Sequence, residues 1–327
     1  MEQIDCKRMA AQPVRCRDSD LKDPVFEQAC LFEGPAEEIS AVIQKRHDRP
    51  GRRGVLPGSE KVKEIDMCTA FVKYGKDYIC GFNMDINEEA MDWKLLMDEN
   101  RFAVALPMTN PADFAPKGTH IPPEYTDSEG GVLRIHGVNR NGCFAGQLNN
   151  MRFAKASFQI GEDCVPLYHL VDGFIRGEYV LPEVEGLARK KRVVNLPAGV
   201  VGIPDMSMHS LMSDSEGHIL VVEPGNGVAA ISERYAVMTN FAVLELPGDF
   251  TPENFGYYGK DRYDTALSIL RESDDGFSVR EGLGLLDAVK QTGRWGTRVS
   301  FVYSRNENAV YYATEHDFAN IRIHRFA

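Results

Sequence analysis

The sequence changes character at Met67 and Cys68, and this change decides which part of the chain can enclose a core. Residues 1–67 contain 12 Lys or Arg and 13 Asp or Glu, with a single short candidate helix at 35–45 followed by a polar run rich in Gly and Pro. Because apolar positions recur too rarely there to build a core, we expect this leader to be poorly ordered. From Cys68 onward, apolar strands and short turns alternate, so we predict a folded domain at 68–327.

The folded part reads as antiparallel strand pairs interrupted by helices. The first pair, within 68–85, is joined by a Gly-containing turn, and the second, within 131–150, by a turn containing Asn141-Gly142, a strong hairpin signal. Apolar residues at three-and-four spacing then predict helices at 166–192, 260–273 and 279–292, with strands between them and three closing strands from 297. This pattern predicts an α+β protein built in layers.

Composition excludes several classes of function. The net charge of −11 argues against a nucleic-acid partner, since phosphate binding needs clustered Lys and Arg. No apolar run reaches the roughly 18–20 residues of a membrane span, and no secretory signal opens the chain. The seven cysteines are widely spaced and indicate reduced thiols in a cytoplasm. The eight histidines lack metal-ligand spacing, so we expect no metal.

Cys68 is the first candidate for chemistry because it opens the folded part. If Cys68 became the N-terminal residue, its own α-amine, with a pKa near about 8, could accept the thiol proton. Taken alone, a cysteine at the start of a strand is more often a small buried apolar residue than a nucleophile.

Further motifs follow Cys68-Thr69 in a fixed order along the chain. They are Gly81-Phe82-Asn83-Met84-Asp85, His136 to Gly142 with Ala145 to Asn150, His209 to Glu223, Met238-Thr239-Asn240, Leu246 to Phe250, Arg262-Tyr263, and Tyr311-Tyr312 with Thr314. Each motif is weak alone, but the ordered set is specific. It resembles the choloylglycine hydrolase family of N-terminal-nucleophile hydrolases, which includes bile salt hydrolases and penicillin V acylases, over nearly all of 68–327.

The resemblance implies a fold and a reaction. The fold would be a four-layer αββα sandwich, in which two stacked antiparallel sheets lie between helix layers. The reaction would be cofactor-free hydrolysis of a linear amide in a small amphipathic substrate, through a thioester on the nucleophile. Conjugated bile salts are one candidate substrate class, and penicillin V or acyl-homoserine lactones are the alternative.

The resemblance also implies a role for each matching residue. Cys68 would be the nucleophile, and Asp85 would hold its α-amine in place. Asn240 would donate a side-chain N–H to the oxyanion, and Asn149 would add its backbone N–H. Arg262 would stabilise negative charge around the nucleophile.

Phe82 departs from the family pattern, which usually has Arg at that position. A phenyl ring cannot donate a hydrogen bond, so a cationic contribution beside the nucleophile is missing. Three readings stay open: Arg262 suffices, Phe82 contacts an uncharged substrate, or the chain is a member that is weakly active or binds a ligand without turnover.

Two further positions bear on substrate and assembly. Asn149 matches bile salt hydrolases, whereas penicillin V acylases tend to have Tyr there. Only 21 residues separate Asn240 from Arg262, too few for the extension that joins family tetramers. A homo-oligomer stays open, but not one mediated by that extension.

Two accounts of the leader compete. Residues 1–67 are a propeptide cut before Cys68, or Met67 is the true start of a bacterial protein. Lys63-Glu64 can be encoded as AAG GAG, a bacterial ribosome-binding sequence, with Ile65-Asp66 as spacer, which favours the second account.

Two smaller features have structural interpretations. We predict that His209 and Asp214 pair across a strand–turn–strand unit. Gly282 and Gly284 lie in an apolar predicted helix, which indicates close helix packing rather than a phosphate loop.

Overall fold

The computed structural model describes residues 68–87, 92–108, 120–126, 128–150, 158–195, 207–244 and 259–327. The leader, with its predicted helix at 35–45, and the segment after Leu244 that includes Leu246 to Phe250 lie outside the described residues. The statements below concern the described residues alone.

Strands dominate the described chain. In order they are β1 (Thr69–Tyr74), β2 (Tyr78–Asp85), β3 (Lys94–Met97), β4 (Arg101–Pro107), β5 (Val132–Asn139), β6 (Phe144–Asn149), β7 (Cys164–Pro166), β8 (Arg192–Val194), β9 (Met208–Ser213), β10 (Ile219–Glu223), β11 (Gly227–Ile231), β12 (Tyr235–Met238), β13 (Thr297–Ser304), β14 (Ala309–Thr314) and β15 (Arg322–Arg325). The α-helices are α1 (Leu167–Arg176), α2 (Leu181–Lys190), α3 (Lys260–Glu272) and α4 (Val279–Ala288). Short 3-10 helices span Pro123–Tyr125 and Glu129–Gly131.

The strands form two large antiparallel sheets. The first has the order β12-β1-β2-β13-β14-β15, and the second has the order β11-β10-β9-β6-β5-β4-β3. A small parallel pair, β7-β8, lies apart from both. Both predicted hairpins are present, since β1 pairs with β2 and β5 pairs with β6.

Strand alternation separates most of the buried apolar side chains of the described residues into three clusters, apart from a small fourth cluster around Tyr125. Between the sheets lie aromatic rings that include Phe82, Phe102, Phe144 and Phe301. The outer face of the second sheet packs against α1 and α2, and that of the first packs against α3 and α4. Because both faces of each sheet are covered, the central strands are apolar on both sides. The result is the predicted four-layer αββα sandwich.

The predicted helix at 166–192 is two helices. The first ends at Arg176 and is capped by Gly177, whose φ of 80° is the left-handed conformation that glycine adopts most easily. The second begins at Leu181, with Pro182 in its first turn, where the missing N–H costs nothing. The predicted helix at 279–292 ends earlier, at Ala288. Strands β3 and β4, within residues 94–107, were not predicted.

Two further observations concern the cysteine side chains and the search for membrane-spanning helices. The described cysteines, Cys68, Cys80, Cys143 and Cys164, carry thiols rather than disulfides. Within the described ranges, no helix has the length and apolar character needed to cross a membrane.

Candidate active site

Cys68 lies immediately before β1 and faces the gap between the two sheets. Its side chain is 4% exposed and belongs to the same apolar cluster as Ala70, two residues along the strand. Its Sγ lies 4.0 Å from the backbone oxygen of Asp85, at the end of the neighbouring strand β2. The hairpin therefore brings the start of β1 and the last residue of β2 together.

The Asp85 side chain is fully buried and lies beside two donors. In register with Thr297 at the start of β13, its Oδ1 accepts a hydrogen bond from Thr297 Oγ1 at 2.6 Å. Its Oδ2 lies 3.6 Å from Nη1 of Arg262. Because an isolated carboxylate is costly to bury, the nearby guanidinium compensates its charge.

Arg262 lies in the first turn of α3 and contacts three other candidate residues. Its Nη1 donates to the Cys68 carbonyl oxygen at 2.5 Å and to Thr69 Oγ1 at 2.9 Å, and its Nη2 donates to Asn240 Oδ1 at 2.7 Å. With its contact to Asp85, the guanidinium joins the start of β1, the end of β2 and the turn after β12.

Gly259 allows this close approach. It precedes α3 with a φ of 79°, and a Cβ at this position would lie 2.5 Å from Arg262 Nη2 and 3.1 Å from Thr239 Cβ. A larger residue would therefore displace the guanidinium or the Thr239–Asn240 turn.

Asn240 and Asn149 connect the two sheets. Asn240 follows β12 of the first sheet and is 1% exposed, and Asn149 is the last residue of β6 in the second sheet. Asn240 Nδ2 donates to the Asn149 backbone oxygen at 2.8 Å. Five of the six predicted site residues are thus joined in one buried cluster of contacts: Cys68, Asp85, Asn149, Asn240 and Arg262.

Phe82, the sixth predicted residue, lies on the face of β2 that points between the sheets, opposite to that of Asp85, and has different neighbours. Its ring is fully buried, stacked on His136 with a centroid separation of 3.9 Å and close to Phe301 at 6.1 Å. Burial lowers the pKa of His136 to about 3, so its ring is neutral near pH 7. The His136 Nδ1 accepts the Gln147 backbone N–H at 3.2 Å. The substrate-binding role of Phe82 stays a prediction.

Several contacts at this site were not predicted. Thr297 gives no local signal, because it bonds to Asp85 from 212 residues further along the chain. Thr69 belongs to the Cys-Thr motif, but its bond to Arg262 requires the folded arrangement.

The predicted pairing of His209 with Asp214 is wrong. His209 faces the gap between the sheets and contacts Glu223, whereas Asp214 lies in the following turn and binds His218. The reason is strand alternation, which directs the His209 side chain inward, away from the turn. The available signal in the sequence was the motif His209 to Glu223, which begins and ends with the two residues that are in contact.

A surface cavity of about 590 Å³ lies elsewhere, between α4 and β14. Its lining includes Leu283, Tyr311 and Phe318 together with Arg280 and Glu307. It opens on the outer side of the first sheet, whereas Cys68 faces the inner side. The cavity is therefore separate from the candidate site.

Comparisons with known proteins bear on the fold. No family model and no curated protein sequence matches the chain. Two solved structures of variants of the conjugated bile acid hydrolase from Clostridium perfringens are each 15% identical, with TM-scores of 0.50 and 0.49; each covers 78% of this chain, against 92% and 91% of the matched chains. The penicillin V acylase from Agrobacterium tumefaciens is 18% identical, with a TM-score of 0.46 over 76% of this chain and 83% of its own. The first similarity shows that this chain has the two-sheet sandwich fold of that hydrolase.

Proposed function

We propose that residues 68–327 form a cysteine-dependent hydrolase of linear amides, with Cys68 as an N-terminal nucleophile that needs no cofactor. The observation that carries the proposal is the position of Arg262. Its guanidinium contacts Cys68, Asp85 and Asn240 at once, and Asn240 in turn contacts Asn149. These are the residues to which the sequence resemblance assigns the reaction.

The proposed reaction is acyl transfer in two steps. The Cys68 α-amine takes the thiol proton, and the sulfur attacks the amide carbonyl carbon. The oxyanion accepts hydrogen bonds from the Asn240 side chain and from the Asn149 backbone N–H. The tetrahedral intermediate collapses to a thioester, and the departing amine takes the proton from the α-ammonium. The Cys68 α-amine then deprotonates water, which attacks the thioester and releases the acid. The departing thiolate takes the proton back from the α-ammonium.

The remaining polar residues would position this machinery. Asp85 would hold the α-amine near the sulfur, as a carboxylate orients a general base. Asn240, whose side-chain amide binds Asn149 O, would be the side-chain donor to the oxyanion. Arg262 would fix the Cys68 backbone through its bond to the carbonyl oxygen.

The reaction requires a free amine on Cys68. In the chain of 327 residues the Cys68 nitrogen is bonded to Met67 as an amide, which cannot act as a base. Removal of a propeptide, or translation from Met67 followed by loss of that methionine, would expose it.

The proposed substrates are small amphipathic amides, with conjugated bile salts as the first candidates. The hydrolase of similar fold is named for conjugated bile acids, and Asn149 matches the residue of bile salt hydrolases. Penicillin V and acyl-homoserine lactones are the alternative substrates.

A different kind of function, ligand binding without turnover, has one observation in its favour. Phe82 takes the place of the Arg that the family usually has beside the nucleophile, and its ring is fully buried against His136. The site therefore lacks a hydrogen-bond donor at that position.

The experiment compares the chain expressed from Met67, with its N-terminus verified by intact mass, and the full chain from Met1. Each is assayed for amine release from taurocholate, glycocholate, penicillin V, an acyl-homoserine lactone and a long-chain acyl amide. We expect the chain that begins at Cys68 to hydrolyse at least one of them. Cys68→Ala should lower kcat by at least about a thousandfold, because the nucleophile is lost.

The matched control is Cys143→Ser, which removes a half-buried thiol outside the cluster and should leave kcat unchanged. If the verified Cys68 N-terminus supports no turnover of the panel, the ligand-binding alternative replaces the proposed function. Activity of protein that still begins at Met1 would contradict the N-terminal mechanism.

A further inference from the structure

His209 occupies the interior between the sheets with a partner on each side of its ring. The side chain, on β9, is fully buried. Its Nε2 lies 2.8 Å from the backbone oxygen of Thr239, and its Nδ1 lies 3.2 Å from Oε1 of Glu223 on the neighbouring strand β10. The ring therefore bridges the second sheet and the segment that follows β12 of the first.

The partners determine which atoms carry protons. A carbonyl oxygen only accepts, so His209 Nε2 must donate to Thr239. Glu223 also accepts the backbone N–H groups of Val243 at 2.7 Å and Leu244 at 3.1 Å, so its oxygens face donors. Burial by itself raises the pKa of Glu223, but the bond and charge of His209, with hydrogen bonds from the Val243 backbone and the Asn226 side chain, lower it below its ordinary value. The Glu223 carboxyl group thus lies beside Nδ1, and Nε2 donates on the other side of the ring.

These contacts hold the Thr239–Leu244 segment at both ends. His209 binds it at Thr239, and Glu223 binds it at Val243 and Leu244. Asn240 lies within this segment, one residue after the Thr239 carbonyl. The Asn240 side chain must reach Asn149 O and Arg262 simultaneously, so its backbone position matters.

We propose that His209 and Glu223 are positioning residues that hold the Thr239–Leu244 segment so that Asn240 is directed at the oxyanion. The inference rests on the proposed hydrolase function, and adds two residues to which the resemblance assigned no role. His209 touches no reacting atom in this account and acts through Asn240. An oxyanion donor displaced by about 1 Å can cost roughly 100-fold in rate.

Two substitutions separate the two bonds of His209. In His209→Gln the longer side chain can still place an N–H near Thr239 O, where Nε2 lies now. In His209→Asn the shorter side chain can reach only the position of Nδ1, so it keeps a donor for Glu223 and loses Thr239. Both are neutral amides of similar polarity, which makes them matched controls for each other.

The enzyme that begins at Cys68 is assayed with each substitution, and kcat is expressed per Cys68 thiol titrated by thioester formation. We expect His209→Asn to lower kcat by about 10- to 100-fold, with KM within about twofold, because the oxyanion forms only in the transition state. His209→Gln should retain at least about tenfold more kcat than His209→Asn.

A double substitution tests the route of the effect. In an Asn240→Ala background, adding His209→Asn should lower kcat by less than about twofold, because the residue through which it acts is gone. Equal losses for His209→Asn and His209→Gln, or an undiminished loss in the Asn240→Ala background, would overturn the proposal. If His209→Asn does not fold, Glu223→Gln takes its place in the cycle, with the same expected loss and the same requirement that Asn240→Ala abolish it.

A readout without substrate distinguishes failure of this inference from failure of the proposed function. The crystal structure of His209→Asn should show Asn240 Nδ2 moved out of hydrogen-bond distance of Asn149 O. If that bond stays at 2.8 Å, His209 does not position Asn240, whatever the enzyme hydrolyses. If the bond breaks but unsubstituted enzyme turns over no amide, the positioning stands and the proposed function fails.

Discussion

At the scale of single residues, a buried ion pair and a set of amide contacts define the candidate site. Arg262 is 3% exposed and Asp85 is fully buried, so neither charge is screened by much water. Desolvation of such a pair offsets much of its attraction, and its net contribution to stability is small. Loss of either partner, however, leaves the other charge buried and uncompensated, which makes the pair indispensable to the arrangement.

This asymmetry predicts the effect of Asp85→Asn. The amide keeps an oxygen for Thr297 but removes the negative charge near Arg262. We expect the free energy of unfolding to fall by about 3–5 kcal/mol, measured by urea denaturation. Asp275→Asn is the control, because Asp275 and Arg234 form an exposed pair, and its effect should stay below about 1 kcal/mol. Similar losses for the two variants would mean that burial of the Asp85 pair carries no cost.

The buried ring of His136 predicts a pH dependence. Its pKa is about 3 in the folded state, below the 6.5 of an exposed histidine, so the unfolded chain binds the proton more readily. Stability therefore rises with pH between these values, and acidification below pH 6.5 should cost about 1.4 kcal/mol per pH unit from this group.

The measurement is urea denaturation of the unsubstituted protein and of His136→Phe at a series of pH values from 7 to 4. Phe keeps a ring against Phe82 but cannot titrate. It also removes the acceptor of the Gln147 N–H, a loss that does not vary with pH. The difference between the two pH slopes isolates the histidine, and parallel curves would contradict the assignment.

At the scale of elements, the distance of α4 from the first sheet is set by a glycine at their contact point. Gly282, in α4, lies directly over the sheet, and a Cβ there would meet Val302 Cγ1 at 3.1 Å and Phe71 Cζ at 3.2 Å. This agrees with the close packing predicted for that glycine. Gly284 is two residues further along, and a Cβ there would have open space, with no atom within 4 Å beyond its chain neighbours and its own helix backbone.

This difference predicts opposite effects for two alanine substitutions in one helix. Gly282→Ala should lower the free energy of unfolding by about 1–3 kcal/mol, because the methyl group overpacks Val302 and Phe71. Gly284→Ala should raise it by about 0.5–1 kcal/mol, because alanine is the better helix former. Thermal or urea denaturation of the two variants measures both. Stabilisation by both would show that the helix can move away from the sheet without cost.

What the sequence predicts well at this scale is local. The hairpins of β1 with β2 and β5 with β6 follow from alternation and from turns within a few residues, and their positions were predicted. The break at Gly177 was missed because apolar spacing on both sides of it remains helical, and spacing does not reveal backbone conformation. Prediction was weakest for contacts between distant segments.

The site shows the same division. Motif resemblance named five residues that the fold brings together, but not the bonds among them. Nothing local indicated that Arg262 binds the Cys68 carbonyl, that Thr297 binds Asp85, or that His209 binds Glu223 rather than Asp214. Such pairs depend on which strands become neighbours, a property of the whole topology.

At the scale of the whole molecule, the first sheet is assembled from both ends of the described chain. β13 lies between β2 and β14, so the partner of the N-terminal hairpin comes from near the C-terminus. Contacts of such long sequence separation slow folding, because the intervening chain must be ordered before they form.

The central position of β13 has a consequence for synthesis on the ribosome. Asp85 and its partner Thr297 are 212 residues apart, an interval of about 10–40 s at roughly 5–20 residues per second. Throughout that interval β2 has no neighbour on one side, and for most of it the Cys68 carbonyl has no Arg262 to hold it. The nascent chain thus exposes an open strand edge and an unanchored thiol until Arg262 and β13 have been synthesised.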